Sequence, residues 1–500
     1  MQTRTTSIDW PGTGGLSSAA TRGGMRAAAT SWVRFVLQFS ALLLLARLLG
    51  PSQYGAAAAA LVAVAAAELL RAGGVGWLVS RSSDATPALV TTLHLSCTAL
   101  GLVLAAGLAA AGATLPADRL PGGALTFPLL GIVALAAGLG AVPTALLVRN
   151  LRAGTVAVAE LAAAALSVTV ALASAAAGAG ALALLLQAAC YAATLCTLVL
   201  ALAPWRPSRP APLRDIAPHL PFIGNATLTQ GLDWAVRSLD RLVVALLFGP
   251  AAAGVYTQAA QLVILPVEQV HGPLRRIAVP SLGRLLGDPE RYRAAYRSIV
   301  TVAAGVLWPA LAVLAVLADD VVHLAFGPAW HETAHLYRVM LPAALALVVT
   351  GVTAMVTLAA GIAGRQAVWE CAISRPATVL AFVAGSQGGV LDVAACTSVA
   401  AALLVVPGHA FVARRAGLTV RDLLGSLAAP GVVALTSAGA AFLVRWAWGG
   451  GVLGGFLLAG LAAAAVAVGT ALALPPTRRV ALRAFGHLHG RSAASGVTAS

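Results

Sequence analysis

"LARLLGPSQYG" (residues 45–55) and "VALLFGPAAAG" (residues 244–254) follow one pattern: an apolar helix end, a Gly-Pro pair and a further glycine. Pro51 and Pro250 stand 199 residues apart, and Gly55 maps onto Gly254 by the same shift. A solenoid unit repeats every 20–50 residues or so, far less than this offset. The pattern therefore reads as two copies of a half-protein. Proline cannot extend the helix before it and glycine permits a sharp turn, so each pair is expected to end the first helix of its half, at the outer surface.

Composition sets the solvent for those halves. Of 500 residues, 59% are hydrophobic and 10% charged, with a mean hydropathy of +0.89, and apolar runs of about 20 residues recur along the whole chain. The expected fold is an all-α polytopic membrane protein. Spans are expected at 27–49, 55–79, 87–113, 124–147, 155–177, 181–203, 219–248, 252–274, 299–318, 335–361, 366–386, 390–412, 428–447 and 452–474, about fourteen helices in all. This divides the chain into an N-terminal tail (1–26), a six-helix N-lobe (27–203), a linker (204–218), a six-helix C-lobe (219–412), two closing helices (413–474) and a C-terminal tail (475–500). No apolar segment with a cleavage site follows the early Arg4 and Arg22 at signal-peptide distance, so the first hydrophobic segment is expected to remain as a span.

The net charge of +15 would suggest an acidic partner in a soluble chain, but here it follows the loops. One alternating set of loops holds Arg149, Arg152, Arg206, Arg209, Arg214, the cluster from Arg275 to Arg297, and Arg414, Arg415 and Arg421. The opposite set is nearly free of Arg, with Arg47, Arg119 and Arg445 as the exceptions, and includes Asp319 and Asp320. The positive-inside rule places the Arg-rich loops and both termini in the cytoplasm. The basic tails are expected to touch anionic membrane lipids; no nucleic-acid partner is expected.

All 32 basic residues are Arg, and Lys is absent. A Walker A loop and a Schiff base both need a lysine, so neither is available. No cofactor is expected, and no enzyme chemistry. The five cysteines (Cys97, Cys190, Cys196, Cys371, Cys396) all fall within spans without a CxxC pair, and are expected as buried free thiols acting as small apolar residues. "HETAH" (His331, Glu332, Thr333, Ala334, His335) fits the zinc pattern H-E-x-x-H, for which Asp392 would be the third ligand. It lies in a short outer loop (319–334), so the alternative is a solvated helix start carrying titratable His. No metal site is expected.

Charges inside spans carry more information, because each costs a few kcal/mol in lipid unless it faces a partner or a wet cavity. In "NATLTQGLDWAVRSLDRLVVALLFG" (225–249), Gln230, Asp233, Arg237, Asp240 and Arg241 recur at spacings of three and four and share one helical face. That face is either an ion-pair ladder between helices or the lining of a water-filled cavity. The repeat bears on the choice: the 199-residue shift maps Arg34 onto Asp233 and Gln38 onto Arg237. A shift of 200 maps Glu68 onto Glu268 and Arg71 onto His271. Two lobes related by a pseudo-twofold axis along the membrane normal would gather these helices at a shared centre, as in an alternating-access transporter.

Several runs also resemble a known family: "FVLQFSALLLLARLLGPSQYGAAAAALVAVAAAELLRAGGVGWLVSR" (35–81), "ALLVRNLRAGTVAVAELAAAAL" (145–166), residues 237–296 with "LPVEQVHGPLRRIAVPSLGRL", and "LAFGPAWHETA" (324–334). They look like the polysaccharide flippases, the O-antigen and exopolysaccharide repeat-unit exporters of the multidrug, oligosaccharidyl-lipid and polysaccharide exporter superfamily. The resemblance covers about residues 27–412. It implies a protein of the cytoplasmic membrane that moves undecaprenyl-diphosphate-linked oligosaccharide from the inner to the outer leaflet by alternating access, alongside a polysaccharide polymerase and glycosyltransferases. Arginine suits such a cargo, since its planar fork donates paired hydrogen bonds to phosphate oxygens. Arg34, Arg237 and Arg241 are the candidates for the diphosphate, and Gln38 and Gln230 for the sugars. Glu68, Asp233, Asp240 and Glu268 are candidates for a coupling ion or for holding those arginines.

Three other classes stay open: a peptidoglycan-precursor flippase, a drug/cation antiporter of the same superfamily, and a membrane-embedded glycan polymerase. The last would need a large catalytic outer loop, which the short loops here do not provide. On the flippase reading, Arg237→Ala is expected to block surface-glycan export while leaving the protein inserted and abundant. Normal export with Arg34, Arg237 and Arg241 all replaced would overturn the assignment.

Overall fold

The computed structural model describes residues 16–474 apart from 73, 82–85, 115, 117–121, 151 and 204. Inside the helices, side chains over 16–29, 63–72, 228–230 and 232–239, among others, lie outside the described residues. Every regular element among the described residues is helical. Among the described residues, twelve helices are long and apolar enough to cross a membrane. Two of these, α1 (Leu16–Ala72) and α7 (Leu220–Arg284), are each broken inside, at Gly50 and Gly249. Counting their limbs separately gives fourteen helical segments where fourteen spans were expected, and the chain is an all-α polytopic membrane protein.

The two breaks share one cause. Gly50 takes φ 70° and ψ 169°, and Gly249 takes φ 86° and ψ 173°, backbone that a residue with a Cβ resists. Pro51 and Pro250 then open the next limb at the one helical position where a missing N–H costs nothing.

The chain divides into two compact units, Met1–Gly254 and Val255–Ser500. The division falls within α7, just past its break, whereas the lobe boundary of the sequence repeat lies at 204–218. The first limb of α7 groups with the first unit because it packs there: the Gly74 amide at the start of α2 (Gly74–Arg81) donates to Thr227 Oγ1 at 3.0 Å. The same unit joins the two Gly-Pro motifs directly. A Cβ added to Gly55 would strike the Pro250 carbonyl oxygen, and one added to Gly254 would strike the Pro51 carbonyl oxygen. Each motif's second glycine thus seats the other motif's proline carbonyl. This reciprocal approach needs glycine at both positions.

Four further helices complete the first unit: α3 (Pro87–Thr114), α4 (Thr126–Arg149), α5 (Ala153–Ala176) and α6 (Leu182–Leu202). Lipid cannot drive apolar helices together, so small residues that let backbones close up do this instead. Ala159, Ala163 and Val156 of α5 pack with Leu147 of α4 and with Leu195 and Val199 of α6. Leu45, Leu49 and Ala57 of α1 pack on Ala171 and Leu184.

The second unit holds the later limb of α7, α8 (Pro289–Val316), α9 (Ala318–Ala325), α10 (His331–Ala359), α11 (Ala363–Trp369), α12 (Arg375–Gly385), α13 (Val390–Ala413), α14 (Val420–Ala447) and α15 (Val452–Ala473). A π-helical turn, Glu370–Ser374, joins α11 to α12. Both ends of α14 are tied by ion pairs. At its start Arg297 of α8 reaches Asp422, Nε to Oδ1 at 2.9 Å, inside a capping box with Thr419. At its end Arg445 grips Asp320 of α9 with two hydrogen bonds of 2.7 and 3.1 Å. Asp319 pairs with Arg338 of α10.

Two expectations are corrected here. The stretch 319–334 is not a loop. Asp319 and Asp320 in the first turn of α9 and His323 in its last complement the helix dipole, and a 3-10 turn, Pro328–Trp330, leads into α10. The cysteines are free as expected, but Cys371 is exposed whereas Cys97 and Cys196 are buried.

The glycine approach yields a stability test. Gly254→Val forces a side chain against the Pro51 carbonyl and should cost about 1–3 kcal/mol, read as a lower melting temperature in detergent. Gly272→Ala, with nothing within 4 Å of its added Cβ, should hold or gain stability. Equal melting temperatures for Gly254→Val and the parent protein would contradict the close approach.

Candidate functional site

The charged positions read from the sequence lie mostly in the first unit, on α1 and the first limb of α7, and α5 adds one more. Arg34 stands on α1 and pairs with Glu160 of α5; their side chains keep 29% and 21% of their surface exposed. Gln38, one helical turn further along α1, is exposed. Glu160 was not among the acids singled out, yet the rule that found the others applies to it: it is a carboxylate inside the apolar run "VAVAELAAAALS" (156–167). Its partner could not be read from the sequence, because the pair spans 126 positions and joins two helices.

On α7, Asp240 accepts a hydrogen bond from the Arg241 backbone amide at 2.7 Å. The Arg241 side chain is half-buried, and its Nε is buried without a hydrogen-bond partner among the described residues. A buried guanidinium nitrogen left unpaired costs about 1–3 kcal/mol, a cost that an anion accepting from it would remove. The side chains of Gln230, Asp233 and Arg237 on the same limb, and of Glu68 on α1, lie outside the described residues.

Glu268 falls in the second unit, on the later limb of α7, and is exposed. One turn along, His271 is buried against Gly351 of α10, where no Cβ would fit beside the imidazole.

His331, Glu332 and His335 of the HETAH motif all lie exposed on the first turns of α10, and Asp392 is exposed on α13. Among the described residues no group of three or more His, Cys, Asp or Glu side chains is placed to hold a metal ion. The motif is a helix start whose Glu332 sits favourably at the positive end of the dipole.

Comparison with known proteins adds the family. Residues 44–335 match the family model described as "Polysaccharide biosynthesis protein", more than half of the chain, and the chain belongs to that family. Among curated relatives, the lipopolysaccharide biosynthesis protein WzxC of Escherichia coli (strain K12) is 27% identical over 128 residues, 26% of this chain and 26% of that protein. The teichuronic acid biosynthesis protein TuaB of Bacillus subtilis (strain 168) is 22% identical over 190 residues, 38% of this chain and 39% of that one. The chain thus spans between a quarter and two fifths of the length of these relatives. Among solved structures, the lipid II flippase MurJ in an inward closed conformation superposes with a TM-score of 0.67 at 13% identity, over 89% of this chain and 98% of that one. This likeness is one of fold.

The Arg34–Glu160 pair can be tested apart from any cargo. Glu160→Ala leaves an intramembrane guanidinium unpaired and should destabilise the protein by about 1–3 kcal/mol. The exchange Arg34→Glu with Glu160→Arg should recover most of that loss in melting temperature. No recovery would show that the two side chains do not depend on each other.

Proposed function

We propose that this member of the polysaccharide biosynthesis family moves an undecaprenyl-diphosphate-linked oligosaccharide, a polysaccharide repeat unit, across the cytoplasmic membrane by alternating access, with both termini in the cytoplasm. The observation that carries the reading is a guanidinium set within membrane helices of one unit: Arg34 balanced by Glu160, and Arg241 with a buried Nε that has no hydrogen-bond partner among the described residues. An arginine held in a low-dielectric surround by a carboxylate stays charged and oriented, and one with an unspent donor has something to give to an anion. A diphosphate is the anion whose oxygens best match that fork.

The remaining sequence assignments fit the same cargo. Arg237 joins Arg34 and Arg241 at the diphosphate. Gln38 and Gln230 supply amide donors and acceptors for sugar hydroxyls. Asp233, Asp240, Glu68 and Glu268 hold the arginines or take a coupling ion. The lobes 27–203 and 219–412 are the moving parts in this proposal, and the closing helices 413–474 stay with the second.

The test is transbilayer movement in proteoliposomes of the full chain. Lipid-linked oligosaccharide on the inner leaflet should become accessible to an external periodate or lectin probe at least tenfold faster than in protein-free vesicles. Charged dyes should not be driven across. Dye antiport without lipid movement would make the chain a drug/cation exporter. Movement of lipid-linked peptidoglycan precursor alone would make it a cell-wall precursor flippase.

A further inference from the structure

The membrane helix formed by α11, the π-turn and α12 carries a second polar assembly, made of residues not yet assigned a role. Thr357 of α10 bonds to Gln366 Oε1 at 2.5 Å. Gln366 Nε2 donates to Glu370 Oε1 at 2.9 Å, and Arg375 donates to Glu370 Oε2 at 3.0 Å. Gln366, Glu370 and Arg375 sit inside a 22-residue candidate span, Gly364–Gly385, of mean hydropathy 1.3.

The local backbone is built for it. On a regular α-helix residues five apart point about 140° away from each other. Here the Arg375 amide bonds to the Glu370 carbonyl across the π-turn, which brings position 375 round to position 370. The extra residue that makes a π-turn is rare and recurs at functional sites. In this helix its effect is to put an acid and a base on one face, in line with Gln366, Ser374 and Thr378. That face is half-buried, while Val368, Val379, Leu380 and Val383 stand exposed on the other.

Glu370 and Arg375 keep 35% and 30% of their side-chain surface open. An ion pair that open cannot lie against hydrocarbon cheaply, so the face is wet or covered by a polar ligand. A bare cation does not suit it, because the carboxylate already has a guanidinium at hydrogen-bond distance. A diphosphate does not suit it either, because the pair is neutral. An amide, a carboxylate and a guanidinium in a row are flat groups that pair with neighbouring hydroxyls, and among the described residues each Glu370 carboxylate oxygen has one hydrogen-bond donor for its two lone pairs.

We propose that Gln366, Glu370 and Arg375 form a saccharide-contacting subsite in the second unit that reads hydroxyl groups of the glycan during passage. This rests on the reading that the cargo carries a glycan.

The test uses the full chain with its five native cysteines replaced and one cysteine introduced, at Ser374, Leu380 or Gln38. A membrane-impermeant maleimide should label S374C and spare L380C. Lipid-linked oligosaccharide extracted from the native cell should slow labelling of S374C at least fivefold. The same lipid after mild-acid removal of its sugars should not slow it. Adding Glu370→Gln should abolish the protection at unchanged protein yield, and exchanging the charges of 370 and 375 should not bring it back. Protection equal with and without sugars, no protection, or full recovery in the exchanged pair would each overturn the subsite. Protection at Q38C but not at S374C would sink this inference alone. Loss of protection at both positions would remove the flippase reading with it.

Discussion

A charge inside a hydrocarbon slab must be paired or wetted, and the polar architecture of this protein follows from that constraint. Its side chains meet the constraint in three ways. Arg34 and Glu160 pair between helices; Glu370 and Arg375 pair within one helix with the help of a π-turn. Arg241 sits half-buried, its Nε without a hydrogen-bond partner among the described residues. The first two hold positions that an unpaired charge could not keep, and the third is the kind of group that a passing anion would satisfy. The pairs Arg297–Asp422 and Arg445–Asp320 obey the same rule at the ends of α14, where their effect is to anchor a helix.

Helix packing supplies the rest of the frame. An Ala- and Gly-rich chain gains little from large side chains meeting across lipid, and relies on backbones that come close. The Gly-Pro motifs that open the sequence are the sharpest example. They break two long helices at positive-φ glycines, and then seat Gly55 and Gly254 against each other's proline carbonyls. A motif that reads as punctuation in the sequence is also a packing surface.

The fold class was legible because hydropathy, span length and the repeat are properties of contiguous sequence. Breaks at Gly50 and Gly249 were legible for the same reason, since Gly-Pro acts locally. The stretch 319–334 was misread because α9 is only eight residues long and three of them are polar, too short for an apolar run to announce it. Glu160 was visible as an intramembrane acid but was passed over for acids on the repeated helices. Its pairing with Arg34 depends on how α1 meets α5, which local spacing does not encode. The Glu370–Arg375 contact was hidden more deeply, because a five-residue separation on a helix argues against contact until the π-turn is seen.

The central claim is that intramembrane arginines of the first unit recognise a diphosphate on a lipid. It is tested most directly by the affinity of the purified full chain for undecaprenyl diphosphate against undecaprenol. The account predicts that the diphosphate lipid binds at least tenfold more tightly, and that Arg241→Gln removes most of this difference, in keeping with the loss of about 1.5–3 kcal/mol from a charge-assisted hydrogen bond. Equal affinity for the two lipids, or an unchanged preference after replacing Arg34, Arg237 and Arg241 together, would contradict it.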